Sequence, residues 1–346
     1  MTDIYSMTRS GLEKWFSERG DNPAKAAILF QWLYQRDLRS FDELPFSDRV
    51  KSAMTDSFTM ELPETAARVG DEVTEKLLLR LPGGESGDDH VETVLMRQKY
   101  GDSVCISTQV GCAMGCAFCQ SGRLKKRRSL TAGEMTAQVL KMRRLGAEIH
   151  SITVMGIGEP FDNFSAVRDF CEIASDYNGL ALGEKHITVS TCGIVPGIMA
   201  WSALPHPCSL AVSLHAADND LRSMLMPINR RYPVGNVIAA AAEFAELHNR
   251  RVTLEYVMLS GVNDSPEQAQ QLANLIGFSK RFYVNIIPCN GNDSGFIPST
   301  RDRIMAFYDV LKKNGISVTM RREFGGGISA ACGQLSSDFS DQKSRL

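Results

Sequence analysis

The chain has no uninterrupted apolar run approaching the ~18 residues that a membrane helix needs. Its most tempting stretch, residues 237–242, stops at Glu243. The N-terminal segment MTDIYSMTRSGLEKWF carries Glu13 and Lys14 where a secretory signal needs an apolar core. From these absences we expect a cytoplasmic protein without membrane contact. An excess of charge of one sign is also lacking: 38 Lys and Arg against 40 Asp and Glu give a net charge of −2. That balance argues against a generic basic nucleic-acid coat and leaves RNA binding to local patches. Nine cysteines in 346 residues are too few for a disulfide scaffold of this size. Internal repeats and low-complexity tracts are absent. The remaining composition, 43% hydrophobic and 23% charged, is that of a folded globular chain, and the length suits about two domains.

The first part of the chain reads as a small helical module, residues 1–70. The apolar stretch AAILFQWL (26–33) has helical character, and Phe41, Leu44 and Phe46 are suited to pack beside it. A β-rich connector, residues 71–102, follows and contains the turn-forming segment LPGGESGDD (81–89). From residue 103 a strand–helix rhythm begins. Short β-branched runs fall at 104–108, 152–155, 187–191, 210–214, 252–257, 283–287 and 316–320. Between them, Thr131 and Glu134 form a capping box opening a helix, and Ser265 with Pro266 opens another. A third helix spans 299–314, closed by Gly315, with Ile304, Phe307, Val310 and Leu311 on one face. Such alternation predicts α/β architecture with parallel strands, and six or seven units suit a complete or partial βα barrel. Chemistry is then expected at the C-terminal strand ends. Residues 103–335 form this core and 336–346 a polar tail.

The cysteines matter through their clustering. QVGCAMGCAFCQSG (109–122) sets Cys112, Cys116 and Cys119 as C-x3-C-x2-C directly after a predicted strand. Three thiolates in eight residues suit an iron–sulfur cluster, and three ligands for four irons leave one iron open to a cofactor. Phe118 is placed to shield it. The alternative is structural zinc, with Cys105 as a fourth thiolate, although the C-x6-C-x3-C-x2-C spacing lacks paired zinc knuckles. The spacing, with its aromatic before the last cysteine, resembles the radical S-adenosylmethionine (SAM) superfamily, in which the open iron chelates SAM.

Further segments narrow the resemblance. VETVLM and CISTQVGCAMGCAFC within 91–122, VMGIGEP (154–160), VSTCGIVP (189–196), LAVSLHA (210–216), MPINRRYP (226–233), YVMLSGVNDS (256–265), VNIIPCN (284–290) and VTMRREFGGGISAACGQL (318–335) resemble the RlmN/Cfr family of radical adenosine methyltransferases over residues 21–335. The resemblance implies a partial (β/α)6-type radical SAM barrel behind a helical accessory domain. It implies methylation of an RNA adenosine, in 23S rRNA and also in tRNA beside the anticodon, using a [4Fe–4S] cluster and two SAM per turnover. Carried over position by position, Cys332 is the methyl-carrying cysteine, Cys105 the cysteine that resolves the RNA adduct through a transient disulfide, and Glu92 the proton acceptor. Gly158, Glu159, Ser190, Ser213, Leu214, His215 and Asn290 match cofactor contacts. A reductant such as flavodoxin or ferredoxin is implied, and we expect a monomer.

The residues themselves leave alternatives open. Outside the resemblance, Cys332 and Cys105 read as core cysteines, Glu92 as an exposed strand carboxylate, and His215 as a histidine without a role. Cys171, Cys192, Cys208 and Cys289 read as packing residues. The run Lys125–Lys126–Arg127–Arg128 and the pairs Arg230–Arg231 and Arg321–Arg322 are either solvated faces or phosphate grips. GEP favours the C2-methylating RlmN-like branch, with Cfr-like C8 methylation as the alternative and a zinc-stabilised RNA-binding protein as a lower one. The chain departs from the family pattern before Cys332, where GGGIS stands in place of acidic residues.

Overall fold

The structure, a computed structural model, describes residues 1–81, 89–277, 279–289, 295–321 and 335. Its N-terminal part is helical: α1 (Arg9–Glu18), α2 (Lys25–Gln35) and α3 (Asp48–Ser57), flanked by the paired short strands β1 (Thr2–Asp3) and β2 (Phe58–Thr59). Thr8 caps α1 by accepting from the Gly11 N–H at 3.1 Å. The apolar 26–33 run lies within α2, where Leu29, Phe30 and Leu33 are buried. Phe41 and Leu44 are buried and Phe46 packs against the same core, as the sequence predicts.

Among the described residues the chain then enters a ten-stranded sheet. Its first strands, β3 (Glu64–Gly70), β4 (Thr74–Arg80), β5 (His90–Met96) and β6 (Asp102–Cys105), pair antiparallel in order. A ribbon of β7 (Gln109–Val110) and β8 (Arg128–Ser129) leads to α4 (Ala132–Arg144) and β9 (Ile149–Val154), which returns parallel to β6. The crossover repeats through α5 (Phe164–Ser175), β10 (Ile187–Thr191), α6 (Val195–Ser202), β11 (Ser209–Ser213), α7 (Asn219–Leu225), α8 (Val234–Leu247), β12 (Val252–Met258), α9 (Pro266–Ile276), β13 (Phe282–Pro288), α10 (Arg301–Lys313) and β14 (Ser317–Met320). Seven parallel strands among the described residues thus lie in the order β6-β9-β10-β11-β12-β13-β14, with the antiparallel strands continuing from β6. Among the described residues the sheet runs open from β14 to β3, in keeping with a partial barrel. No described helix is long and apolar enough to cross a membrane.

The predicted caps form. Thr131 and Glu134 make both bonds of the capping box at α4, and Ser265 and Gln268 do so at α9, with Pro266 in its first turn. The last helix differs: it starts at Arg301 with Thr300 as its cap, two residues after the predicted start. The reason is that the Ser299 hydroxyl donates to Asp264 at 2.8 Å and is engaged away from the helix.

The helical module is fastened to the barrel at the start of α4. The Gly133 N–H donates to Ser6 Oγ at 2.9 Å, and a Cβ built on Gly133 would lie 1.8 Å from the Asp3 carboxylate. Arg143, further along α4, donates to the carbonyls of Tyr34 and Leu180 at 3.0 and 2.9 Å. Burial pushes the Asp3 carboxyl up to about 6. Gly133→Ala should therefore displace Asp3 and Ser6 and destabilise the fold by about 1–3 kcal/mol. Denaturant unfolding checks this, and a variant as stable as the parent would mean that the contact yields freely.

Candidate active site

The cysteine-bearing loop is shaped by its backbone. Gly111 has φ +73°, and a Cβ there would come within 2.3 Å of the Lys125 carbonyl, so only glycine fits. The Cys112 N–H donates to Leu124, Cys119 to the Cys116 carbonyl, and Gly122 to the Cys119 carbonyl, each at 3.1 Å. Ala117 donates to Leu225 at 2.9 Å and so ties the loop to the end of α7. The loop's base is held by ions: Lys126 pairs with Asp162, Arg127 and Arg128 with the buried Asp89, and Arg128 also with Glu134. Three residues of the basic run are thus engaged as struts of the loop rather than left as a solvated face.

Cys112, Cys116 and Cys119 open together into one pocket. Its walls are the C-terminal ends of the parallel strands. Met155, Gly156, Gly158 and Glu159 follow β9; Ser190 and Cys192 come from the end of β10, and Ser213 and His215 from that of β11. Glu255 and Val257 belong to β12, Ile287 and Cys289 to the end of β13, and Arg321 follows β14. Burial pushes the Cys112 thiol up to about 11 and raises that of Cys116 as well. Metal binding here must therefore displace protons.

The thiols suit a cluster better than a single ion. Among the described residues no three His, Cys, Asp or Glu side chains converge on one ion position. Tetrahedral zinc needs four convergent donors, whereas a cubane takes each thiolate at a different iron. Cys105, the fourth ligand of the zinc alternative, is not among the pocket's lining residues and packs with Val94, Met96, Ile157 and Leu335.

Glu159 is buried and uses both carboxylate oxygens. Oε1 accepts from the Phe161 N–H at 3.0 Å and Thr191 Oγ1 at 2.7 Å, and Oε2 from the Cys192 N–H at 2.7 Å. Burial still pushes its carboxyl above the usual range. Gly158 has φ +108°, and a Cβ there would lie 2.7 Å from the Gln109 side chain. The buried His215 accepts from the Val257 N–H through Nδ1 at 3.1 Å. Its ring meets Phe118 edge-on, centroids 4.7 Å apart, so Phe118 packs at the mouth of the thiol loop. Leu214 does not line the pocket: its side chain faces the main core, while its neighbours Ser213 and His215 face the cavity.

Glu92 is not the exposed carboxylate that its strand position alone suggests. It is 0% exposed and paired with Lys76 at 2.8 Å. The antiparallel register sets Val94 opposite Cys105, and Glu92, two residues away, shares the Val94 face of β5. The Leu335 side chain packs against this face, and its carbonyl accepts from Ser121 Oγ at 2.8 Å. Asn290 and Cys332 lie outside the described residues. Cys192 and Cys289, read from sequence as packing residues, line the pocket, as does Glu255, which the sequence reading missed. The one sequence signal for the two cysteines is position just past a strand's C-terminal end, whereas Glu255 sits mid-strand in β12 and offers none.

Burial, followed by the nearby charge of Arg222, lowers the His215 imidazole to about 3. An unfolded histidine titrates near ~6.5. Between those values the unfolded chain binds the extra proton, so this residue's contribution to stability is lost as pH falls through that window. His215→Gln should reduce the pH slope of unfolding free energy there by ~1.4 kcal/mol per pH unit. Urea unfolding at stepped pH tests this, and an unchanged slope would contradict it.

Comparison with known proteins agrees with this geometry. Residues 106–273 match the radical SAM superfamily and residues 2–56 the ribosomal RNA large subunit methyltransferase N-terminal domain. The chain is 45% identical over 347 residues to an Enterococcus faecalis protein named "Probable dual-specificity RNA methyltransferase RlmN", with 96% of each chain covered. A Streptococcus pyogenes protein of the same name is 45% identical over 345 residues, covering 96% of this chain and 95% of its own. The crystal structure of a radical SAM methyltransferase from Sphaerobacter thermophilus superposes with a TM-score of 0.89 at 38% identity, covering 98% of this chain and all of its own. Likeness of this extent over nearly the whole length makes the chain a member of the RlmN family of radical SAM methyltransferases, with the [4Fe–4S] cluster and SAM that membership implies.

Proposed function

We propose that the protein methylates an adenosine of RNA at C2, with a methyl group carried on Cys332, and that it serves both ribosomal and transfer RNA. The observation that carries this reading is the shared buried face of Glu92, Cys105 and Leu335 beside the thiol-lined pocket. Leu335 is three residues from Cys332, a chain reach of about 11 Å. Ring carbons C2 and C8 of adenine are poor nucleophiles, so ordinary methyl transfer does not serve. When bound to Cys112, Cys116 and Cys119, the cluster and SAM supply the radical that activates the methyl group.

The chain's own residues do the rest. Gly158, Glu159, Ser190, Ser213, Leu214, His215 and Asn290 hold the two SAM molecules used in each turnover. The bare backbone at Gly158 allows close approach. Leu214 serves by setting its neighbours Ser213 and His215 toward the cavity, since its side chain lies in the core and its N–H and carbonyl are bonded to Glu255 and to Ala216 and Arg222. His215 enters as a neutral imidazole whose Nδ1 already accepts a hydrogen bond, which leaves Nε2 to donate. Cys332 carries the methyl group to the adenine ring, and Glu92 takes the ring proton, with Lys76 against its carboxylate. The Cys105 thiolate then attacks the Cys332 sulfur: the disulfide forms as the sulfur–carbon bond breaks, and the freed carbon takes up a proton to become the methyl group of the departing base. A small electron-transfer protein such as flavodoxin or ferredoxin supplies reducing equivalents. The helical module adds RNA contacts at a distance from the pocket. C2 is favoured over C8 because the GEP segment and the named relatives are RlmN-like.

Two variants test the division of labour between the cysteines. Cys332→Ala should keep about four irons per chain and make no methylated RNA. Cys105→Ala should accumulate a covalent protein–RNA adduct, seen as a nuclease-sensitive band of reduced mobility. Methylation by Cys332→Ala at the parent rate, or free turnover by Cys105→Ala, would contradict the two-cysteine route.

A further inference from the structure

Arg222 on α7 is 0% exposed, and among the described residues every hydrogen bond it makes goes to a neutral oxygen. Nε donates to the Leu214 carbonyl at 3.0 Å, and one terminal nitrogen to Asn229 Oδ1 at 3.0 Å. The other donates to the carbonyls of Cys192 at 2.7 Å and Ser213 at 3.2 Å. No carboxylate among the described residues forms an ion pair with it. A guanidinium taken wholly out of water without a counter-ion is costly, and the hydrogen bonds alone do not neutralise it. The other buried cation of the site region, Lys76, has Glu92 as its partner.

The geometry points to the missing partner. Arg222 grips the strand ends that carry Cys192 and Ser213, two walls of the pocket, and α7 ends at Leu225, whose carbonyl receives the Ala117 N–H of the thiol loop. Cys192, whose carbonyl Arg222 holds, lines the pocket together with Cys116 and packs in the same cluster of side chains. Three thiolates outweigh the positive charge of an iron–sulfur core, so the filled site is anionic, and one-electron reduction makes it more so. Arg222 does not line the pocket, and therefore does not reach SAM or substrate directly.

We infer that Arg222 is the buried counter-charge of the cluster and that it raises the cluster's reduction potential, easing the electron transfer that starts each turnover. This rests on the reading that Cys112, Cys116 and Cys119 hold the cluster. Reduction takes one electron from the external reductant; Arg222 exchanges neither electron nor proton and favours the reduced form by its charge alone. It is a positioning residue in that it touches no reacting atom and acts only through its charge at the cluster.

The test uses the full chain, reconstituted anaerobically with iron and sulfide, as parent, Arg222→Met and Arg222→Lys. Iron and sulfide are counted first, and the midpoint potential is then read by mediator titration followed by electron paramagnetic resonance. Arg222→Met should load the cluster and show a more negative midpoint, while Arg222→Lys, which keeps the charge and loses the fork of carbonyl bonds, should stay at the parent value. Full loading of Arg222→Met with an unshifted midpoint would overturn the inference. So would a negative shift in Arg222→Lys, which assigns the effect to the carbonyl ties. Where Arg222→Met does not fold, Arg222→Gln, which is neutral and can keep carbonyl bonds, takes its place: a more negative midpoint is expected, and an unshifted one overturns the inference. A parent chain that binds no cluster would instead overturn the assignment of the three cysteines.

Discussion

The pocket depends on a line of buried charge and peptide running across three strand ends. Glu159, just past β9, accepts from Thr191 and the Cys192 N–H at the end of β10. The Cys192 carbonyl, on the other side of that residue, accepts from Arg222, which also holds the carbonyls of Ser213 and Leu214 beyond β11. One carboxylate and one guanidinium, joined through the backbone of Cys192, thus set the relative heights of β9, β10 and β11. Parallel strands bring their C-termini to one edge but do not fix those ends to one another, and here buried polar bonds do so. Each bond is made away from water, so removing one partner leaves another polar group stranded.

The rest of the site is built around that edge. The thiol loop is clamped from below by Asp89, Arg127, Arg128 and Glu134 and from the side by Leu225. The antiparallel strands β3 to β5 widen the sheet on the β6 side and bring Lys76 and Glu92 to the face that carries Cys105. A barrel of parallel units alone has no strand at that position. The accessory helices lie against α4 and α5, through Ser6 and Gly133 and through Arg9 and Asp176. The concave edge is left to the loop and the strand ends.

Much of this was legible in the sequence, for identifiable reasons. Buried parallel strands read as continuous β-branched runs, so the strands from β9 to β14 fell where 152–155, 187–191 and their successors predicted, within a few residues. The capping boxes at Thr131 and Ser265 are local chemistry and appear as read. The three cysteines were legible because metal-ligand spacing is itself local. What the sequence hid is set by long-range contact. Glu92 is buried because β4 supplies Lys76, and nothing in VETVLM announces that partner. Arg222 is buried because the carbonyls of Leu214 and Cys192 close over it, and nothing local in the sequence announces those partners. Cys192 and Cys289 resemble core cysteines because only the register of neighbouring strands turns them toward the cavity. The helix expected from 299 begins two residues later because Asp264, from another loop, takes the Ser299 hydroxyl.

The measurement closest to the central claim is the identity of the methylated nucleoside. The chain, expressed in a host deleted for its own enzyme of this type, is followed by nuclease digestion of separated ribosomal and transfer RNA and mass spectrometry of the nucleosides. The account predicts 2-methyladenosine in both pools, absent when Cys112, Cys116 and Cys119 are replaced by alanine. 8-Methyladenosine, or no methylated adenosine from a cluster-loaded protein, would contradict it.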